Sequence, residues 1–223
     1  MCSTFKLLAV AAILRRVDDN ADRLDRAVPY SEKDLLDYAP ITRQHVAEGS
    51  MTVAALCAAA IEYSDNTAAN LLLKSLGGPA GVTRYARSIG DAVTRLDRDE
   101  PTLNTALPGD DRDTTSPAAM LGDMRTVLLG DALSAMSRER LATWLLANTT
   151  GATKLRAALP PSWRVGDKTG SGQRGATGDI AIIWPPARVP ILVTAYLTET
   201  GASPTERDAA LRDVGRVMVA EFA

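Results

Sequence analysis

The pattern of apolar residues changes near Trp163, and this change constrains the fold more than any other feature of the sequence. Before Trp163 apolar residues recur at helical spacing, and after it they form short runs typical of strands. Helices are predicted over 3–17, 52–63, 67–76, 79–89, 117–129, 134–147 and 204–222, and strands over 164–169, 177–184 and 189–198. Gly-rich and Pro-Pro turns join the strands, which indicates antiparallel pairing. The sequence therefore predicts an α+β fold, with an all-helical region and an antiparallel sheet flanked by helices.

This change of pattern also divides the chain. Residues 1–149 form a mostly helical region and residues 150–223 hold the sheet and its closing helix, and we expect one integrated unit. Residues 28–51 have no regular pattern, and residues 150–159 predict a short helix at most. The 91–116 loop has little apolar periodicity. Loops longer than about 12–15 residues are usually functional or disordered, so this loop is a candidate for function.

The composition excludes several kinds of function. With 25 basic and 27 acidic residues, the chain lacks the strong positive field that attracts nucleic acid or an anionic membrane surface. Its longest apolar run, 7–14, is far too short to cross a bilayer. One histidine, His45, and two cysteines, Cys2 and Cys57, leave too few ligands for a typical zinc site. We expect no metal and no cofactor. Because the chain offers only one histidine as a candidate base, the proton transfers of a hydrolase would depend on lysine or glutamate.

The first residues could be mistaken for a targeting signal. Lys6 and the apolar run after it have the form of a short signal peptide. Arg15-Arg16 and an acidic, polar stretch follow directly, which is atypical of a secretory cleavage region. We therefore predict a buried helix here and no targeting segment in this sequence.

Three short motifs carry residues suited to acyl transfer, although each alone is weak. Ser3 and Lys6 are three residues apart at a helix start, so both face one side of the helix. The free backbone N–H groups at such an end favour negative charge that develops near Ser3. An N-cap serine near an exposed lysine would give the same pattern. Similarly, Ser64-Asp65-Asn66 would suit a helix break and Lys168-Thr169-Gly170 a turn at a strand end.

Together, and in this order, the motifs form the pattern that class A β-lactamases share with penicillin-binding proteins. The segment Glu100-Pro101-Thr102-Leu103-Asn104 adds the E-P-x-x-N motif that separates class A from the penicillin-binding proteins. The chain has only five lysines against twenty arginines, yet two motif positions hold lysine, which alone of the two can lose its proton near neutral pH. The sequence closely resembles a class A serine β-lactamase over all 223 residues. The resemblance implies a three-layer α/β/α fold of the β-lactamase/transpeptidase type.

The resemblance also implies a two-step acyl transfer. Ser3 would attack the lactam carbonyl, and its proton would go either to Lys6 or to Glu100 through a water. The backbone N–H groups of Ser3 and Ser171 would form the oxyanion hole. Ser64 would pass a proton to the lactam nitrogen as the ring opens.

Deacylation and substrate binding would need further residues. Asn104 would help Glu100 to hold and activate the water that hydrolyses the acyl-enzyme. The residues predicted to bind substrate are Tyr38, Asn66, Lys154, Lys168, Thr169, Gly170 and Ser171. Among them, Asn66 would bond the amide side chain of the substrate, Lys168 and Thr169 would bind its carboxylate, and the tyrosine would form a wall of the pocket.

The 91–116 loop should have two further features if the resemblance holds. Arg98 and Asp113 would close it with a salt bridge. The Glu100–Pro101 peptide bond would be cis, which proline permits at modest cost.

Two positions depart from common class A patterns. Many relatives carry an arginine where this chain has Thr177, and Lys154 is our candidate for supplying that charge. Some carbapenem-hydrolysing relatives have a disulfide from the position of Cys2 to the position that Gly172 occupies here. The resemblance therefore implies that this disulfide is absent.

The function implied is hydrolysis of penicillins and cephalosporins, which confers antibiotic resistance. The partners would be β-lactam antibiotics and covalent β-lactamase inhibitors, and the location the periplasm or the exterior of the cell. The alternatives are a penicillin-binding transpeptidase or carboxypeptidase, a non-catalytic β-lactam-binding domain and an inactive fragment. Family members carry a helix and two strands before the nucleophile, so we expect stable folding only with such a segment of the same enzyme present.

Overall fold

The computed structural model describes residues 1–222. In this part of the chain the α-helices are α1 (Phe5–Asp18), α2 (Val53–Glu62), α3 (Asn66–Ser75), α4 (Pro79–Ser88), α5 (Pro117–Leu128), α6 (Ala135–Leu146) and α7 (Pro204–Phe222). The strands are β1 (Ala27–Pro29), β2 (Ser50–Thr52), β3 (Arg164–Ser171), β4 (Thr177–Trp184) and β5 (Ile191–Leu197). This element order confirms the predicted α+β class. None of the described helices combines the length and apolar composition that crossing a membrane requires.

Helix α1 lies at the centre of the helical region because it is apolar on nearly every side. All residues from Phe5 to Leu14 are buried, and Lys6 is the one charged residue among them. The helix contacts α2, α3, α4 and α6. Burial of one leucine-sized side chain contributes about 1.5–3 kcal/mol to the stability of the fold. Helix α1 is therefore a stable support for the residues of its first turn.

Side-chain caps fix where α2 and α3 begin. Thr52 Oγ1 accepts the N–H of Ala55 at 3.2 Å. Asp65 Oδ1 accepts the N–H of Ala68 at 2.8 Å. A cap of this kind contributes about 1 kcal/mol. The Asp65 cap also matters for the site, because Asp65 follows Ser64 directly and fixes the start of α3 at Asn66.

The main sheet has the order β3–β4–β5, and each neighbouring pair is antiparallel. In β4, Ile180 and Ile182 pack into the core of the helical region. Ala181 and Ile183 lie on the other face of the sheet and pack in a second apolar cluster, to which residues of α7 belong. The sheet therefore lies between the helical region and α7, which gives the three layers.

The structure corrects two local predictions. The ends of the segment 28–51 are not irregular, because β1 and β2 pair there with Val28 opposite Met51. Strands of three residues are too short to produce a visible alternation of apolar and polar residues. Residues 150–159 contain only the short 3-10 turn Leu155–Ala158 and no α-helix.

Candidate active site

Ser3 lies in the short 3-10 turn Cys2–Thr4 that leads into α1. Its Oγ donates a hydrogen bond to Glu100 Oε1 at 3.1 Å. Cys2 has a φ of +48°, a left-handed conformation that residues other than glycine rarely adopt. Gly170 of β3 packs against this turn so closely that a Cβ there would lie 3.2 Å from the Ser3 nitrogen. The turn thus holds Ser3 between the helical region and the sheet.

Lys6 lies one helical turn after Ser3 and is fully buried. Its Nζ donates to the backbone oxygen of Ser64 at 2.8 Å and to Asn66 Oδ1 at 2.6 Å. It also lies 3.1 Å from Glu100 Oε1. These three acceptors match the three N–H groups of an ammonium. Burial lowers the pKa of Lys6, while the Glu100 carboxylate acts in the opposite direction.

The Ser64-Asp65-Asn66 turn joins α2 to α3. Ser64 has a φ of +57°, so its backbone is strained in the way often found at functional sites. Asp65 is fully buried and accepts the N–H of Thr42 at 2.9 Å. The N–H of Asn66 donates to the backbone oxygen of Tyr38 at 3.1 Å. This turn therefore also fixes the segment that carries Tyr38.

Lys168 lies on β3 with its side chain directed at the same turn. Its Nζ donates to Ser64 Oγ at 2.9 Å and to the backbone oxygen of Thr169 at 2.8 Å. Burial and, next, the charge of Lys6 lower the pKa of Lys168 to about 7. The Thr169 hydroxyl lies 2.6 Å from the hydroxyl of Thr150.

Glu100 is held by two asparagines. Asn104 Nδ2 donates to Glu100 Oε2 at 2.5 Å. Asn70 binds the backbone of Glu100 twice, because its Nδ2 donates to the carbonyl oxygen and its Oδ1 accepts the N–H, both at 2.9 Å. The Glu100–Pro101 peptide bond is cis. Sequence reasoning missed Asn70, although its position four residues after Asn66 puts both on one face of α3.

The 91–116 loop is closed at the position that the resemblance implied. Arg98 Nε lies 2.5 Å from Asp113 Oδ2. The other carboxylate oxygen of Asp113 accepts the N–H groups of Asp97 and Arg98 at 2.8 and 2.9 Å. Asp113 has a φ of +60°, which these contacts support.

The predicted site residues meet around one cavity of about 300 Å³. Its lining consists of Ser3, Tyr38, Ser64, Asn66, Asn104, Thr150, Lys154, Thr169, Gly170 and Ser171. All of these except Thr150 are residues that the sequence singled out. Lys6, Glu100 and Lys168 contact this lining from behind, through the hydrogen bonds described above. Thr150 belongs to no recognisable motif, and only its contact with Thr169 reveals it.

Lys154 and the Cys2–Gly172 pair lie at the two positions where the sequence departs from common class A patterns. Lys154 faces the cavity, but its Nζ lies 2.8 Å from Asp208 Oδ1. The lysine is therefore already in an ion pair with a carboxylate of the protein. Cys2 and Gly172 are neighbours, since a Cβ on Gly172 would lie 2.6 Å from Cys2 Sγ. Cys2 is a free thiol.

The arrangement can move protons along one continuous path. Contacts of 2.9–3.4 Å link the side chains of Ser3, Glu100, Lys6, Ser64 and Lys168, with the Lys6 ammonium and the Ser64 hydroxyl as the longest step. A serine within hydrogen-bond reach of a carboxylate, beside a buried lysine, has the form of an activated nucleophile. Within residues 1–222, no group of three or more His, Cys, Asp or Glu side chains is placed to hold a metal ion.

Comparison with known proteins agrees with this geometry. Residues 1–222 match the family described as the beta-lactamase enzyme family. The chain is 52% identical to beta-lactamase CTX-M-8 of Citrobacter amalonaticus over 96% of its own length and 72% of the relative's. It is 48% identical to beta-lactamase OXY-2 of Klebsiella oxytoca over 98% of its own length and 75% of the relative's.

Solved structures give the same result. An ancestral class A beta-lactamase, GNCA, superposes with a TM-score of 0.98 at 61% identity, covering 100% of this chain and 85% of that one. A putative class A beta-lactamase, PenP of Rhodopseudomonas palustris, gives a TM-score of 0.97 at 56% identity with coverage of 100% and 85%. The chain therefore belongs to the beta-lactamase enzyme family, within its class A serine group.

Proposed function

We propose that this chain hydrolyses the β-lactam ring of penicillins and cephalosporins through an acyl-enzyme on Ser3, and so confers antibiotic resistance. The observation that carries the proposal is the contact between the Ser3 hydroxyl and the Glu100 carboxylate, 3.1 Å apart at the edge of the cavity. Family membership supports the same reaction. The roles below are assigned from the contacts of each residue.

Glu100 takes the proton of Ser3 during acylation. The Ser3 hydroxyl already donates to Glu100 Oε1. The N–H groups of Lys6 are taken up by Ser64, Asn66 and Glu100, so in this arrangement its nitrogen is a donor and has no free electron pair. Lys6 instead supplies the positive charge that keeps the carboxylate in place. The alternative, in which Lys6 first gives its proton to Glu100 and then accepts that of Ser3, uses the same contacts and has less support.

Ring opening needs a proton on the lactam nitrogen as its bond to carbon breaks. The Ser64 hydroxyl faces the cavity and accepts a hydrogen bond from Lys168 Nζ at 2.9 Å. It can therefore donate its own proton to the leaving nitrogen and recover one from the lysine. The backbone N–H groups of Ser3 and Ser171 stabilise the oxyanion, and loss of one such donor typically costs about 3–4 kcal/mol of transition-state stabilisation.

The substrate is held by residues on opposite walls of the cavity. Asn66 uses its Oδ1 on Lys6, which leaves its amide N–H groups for the carbonyl of the substrate side chain. Lys168, Thr169 and the neighbouring Gly170 backbone bind the substrate carboxylate. Lys154 lines the same cavity, but its ion pair with Asp208 weakens its attraction for the substrate carboxylate, and Tyr38 forms the outer wall.

Hydrolysis of the acyl-enzyme regenerates Ser3. Before hydrolysis, Lys6 takes up the proton that Glu100 received from Ser3. At the same time it passes one of its own protons through the Ser64 hydroxyl to Lys168, which restores the Glu100 carboxylate. The carboxylate, with the Asn104 amide 2.5 Å away, can then hold a water and accept its proton as the water attacks the ester. The ester bond breaks and the proton returns to Ser3 Oγ. This step distinguishes the enzyme from a penicillin-binding transpeptidase, which stalls at the acyl-enzyme.

The partners follow from this chemistry. β-Lactams are the substrates, and β-lactams or related electrophiles that acylate Ser3 but resist hydrolysis would act as covalent inhibitors. A double mutant of the ancestral class A beta-lactamase GNCA4 binds 5(6)-nitrobenzotriazole, a transition-state analogue. Because class A β-lactamases typically act in the periplasm or outside the cell, we assign the same location to this enzyme.

A chromogenic cephalosporin tests the proposal. The wild-type protein should open the ring with multiple turnovers, and Ser3→Ala should reduce hydrolysis to the background rate. Ser88→Ala at the end of α4 is the control, because that hydroxyl bonds only the local backbone oxygen of Tyr85. Hydrolysis by Ser3→Ala at the wild-type rate would contradict the proposal, and a single turnover by the wild type would favour a penicillin-binding protein.

A further inference from the structure

Thr150 lines the cavity without belonging to any of the motifs, and its hydroxyl lies 2.6 Å from the hydroxyl of Thr169. Thr169 is one of the residues that we assign to binding of the substrate carboxylate. A carboxylate only accepts hydrogen bonds, so Thr169 can bind it only by donating its single hydroxyl proton. The direction of the hydrogen bond between the two threonines therefore bears on substrate binding.

Asn148 fixes that direction. Its Oδ1 accepts the backbone N–H of Thr150 at 3.1 Å and lies 2.9 Å from the Thr150 hydroxyl. An amide atom that accepts a backbone N–H is the oxygen, so the Thr150 hydroxyl must donate its proton to it. Thr150 then has no second proton to give. The Thr169 hydroxyl is therefore the donor of the 2.6 Å contact, and Thr150 Oγ1 is the acceptor.

Contacts on both sides of Thr150 hold it against β3. Thr149 binds the end of α2 twice, because its N–H and its Oγ1 donate to the backbone oxygen of Glu62 at 2.9 and 2.8 Å. On the other side, a Cβ on Gly151 would overlap Asp167 Oδ2, so β3 packs directly against the backbone of this segment. The two threonine hydroxyls are therefore kept in contact.

This direction works against a substrate carboxylate. With its proton on the side of Thr150, Thr169 offers the cavity only lone pairs, which a carboxylate cannot use. Before Thr169 can bind the carboxylate, its proton must turn from Thr150 to the substrate, and the 2.6 Å contact then loses its proton. The loss of one hydrogen bond offsets a large part of the gain from the other.

We propose that Thr150 is a positioning residue that acts through Thr169 and weakens the preference of the cavity for β-lactams that carry a carboxylate. A primary carboxamide in the same place both donates and accepts hydrogen bonds, so it can pair with Thr169 in either direction of the hydroxyl proton. Thr150 therefore penalises the anionic substrates selectively. The inference rests on the proposed function, since it concerns the substrates of that reaction.

Thr150→Val tests the inference, because valine has nearly the same shape and cannot accept the proton of Thr169. With benzylpenicillin at pH 6, KM should fall by about three- to tenfold, the effect of one hydrogen bond, while kcat should not change. KM for the primary carboxamide of benzylpenicillin should be equal in both proteins. Thr150→Ser keeps the hydroxyl and should retain the wild-type KM. Thr143→Val is the control, because that exposed hydroxyl bonds only the backbone oxygen of Glu139.

A KM for benzylpenicillin that is equal in the wild type and Thr150→Val, or higher in the variant, would overturn the inference and leave the proposed function intact. A wild-type protein that hydrolyses no β-lactam would instead contradict the proposed function. The two failures can therefore be told apart.

Neutron diffraction from crystals of the wild-type protein tests the direction of the hydrogen bond without relying on catalysis or on a variant. The deuteron of Thr169 Oγ1 should lie on the line to Thr150 Oγ1, and that of Thr150 Oγ1 should point at Asn148 Oδ1. A Thr150 deuteron directed at Thr169 would overturn the inference.

Discussion

The ammonium of Lys6 and the carboxylate of Glu100 lie 3.1 Å apart, and both side chains are fully buried. One comes from the first turn of α1 and the other from the 91–116 loop. A buried pair of this kind costs desolvation energy that its mutual attraction must offset, so each partner depends on the other. The pair therefore links the position of the loop to the helix that carries Ser3.

Replacement of Lys6 should harm both stability and activity. Lys6→Met leaves Glu100 as an unpaired buried charge, which should lower the free energy of unfolding by about 3–5 kcal/mol. Acylation should fall at least about 100-fold because the charge that orders the carboxylate is gone. In the double variant Lys6→Met/Glu100→Gln, chemical denaturation should show most of the stability regained, while hydrolysis does not recover. Equal stability of the single and double variants would contradict the importance of the pair.

Asn70 should be needed to hold the backbone of Glu100. Asn70→Ala removes two hydrogen bonds, each worth about 1 kcal/mol, and frees the loop segment that the carboxylate occupies. We expect deacylation to slow by about tenfold or more, with a smaller effect on acylation, as measured by stopped-flow decay of the acyl-enzyme. Lys74→Ala, one turn further along α3, is the matched control and should behave as the wild type. Unchanged deacylation in Asn70→Ala would mean that the loop is positioned without it.

Lys168 should make substrate binding depend on pH. Its pKa is lowered to about 7, so the ammonium that we propose binds the substrate carboxylate is present below that pH and is lost above it. KM for a carboxylate-bearing penicillin should therefore rise by up to about tenfold per pH unit above pH 7. A methyl ester of the same penicillin lacks the anionic group and should show a KM with little dependence on pH. A flat KM for the acid from pH 6 to pH 9 would argue against this role.

Gly170 should not tolerate a side chain. In Gly170→Ala the new Cβ would lie 3.2 Å from both the Ser3 nitrogen and Cys2 Cβ, so β3 must shift away from the nucleophile. We expect kcat/KM to fall by about tenfold or more, since small displacements of reacting groups have large effects on rate. Gly122→Ala on α5 meets no atom within 4 Å and should leave the activity as it is. Full activity of Gly170→Ala would show that the sheet and the turn can separate without consequence.

The elements with strong periodicity could be predicted from the sequence. Helix α1 is confirmed because its apolar residues and the following Arg15-Arg16 are a local pattern. Strands β3 and β4 are confirmed because turns rich in proline or glycine bound them, and β4 also contains the isoleucine-rich run 180–183. By contrast β1 and β2 were missed, since a three-residue strand leaves no periodic trace and depends on pairing between distant segments.

Prediction of the site residues from the sequence has the same limit. The motifs identified Ser3, Lys6 and Glu100, because each lies in a short pattern of residue types. They could not identify Asn70, which contacts Glu100 from 30 positions away in sequence. The Lys154–Asp208 pair is likewise a long-range contact that no local pattern predicts. The assigned roles of these residues stay predictions until the variants are measured.

The central claim is that Ser3 forms the acyl-enzyme and Glu100 frees it, and intact mass spectrometry of Glu100→Gln with benzylpenicillin tests it most directly. The account predicts a stable adduct with the mass of one intact penicillin, located on the peptide that contains Ser3, and a wild-type sample that shows only hydrolysed product. Turnover by Glu100→Gln at the wild-type rate, or an adduct on another residue, would contradict it.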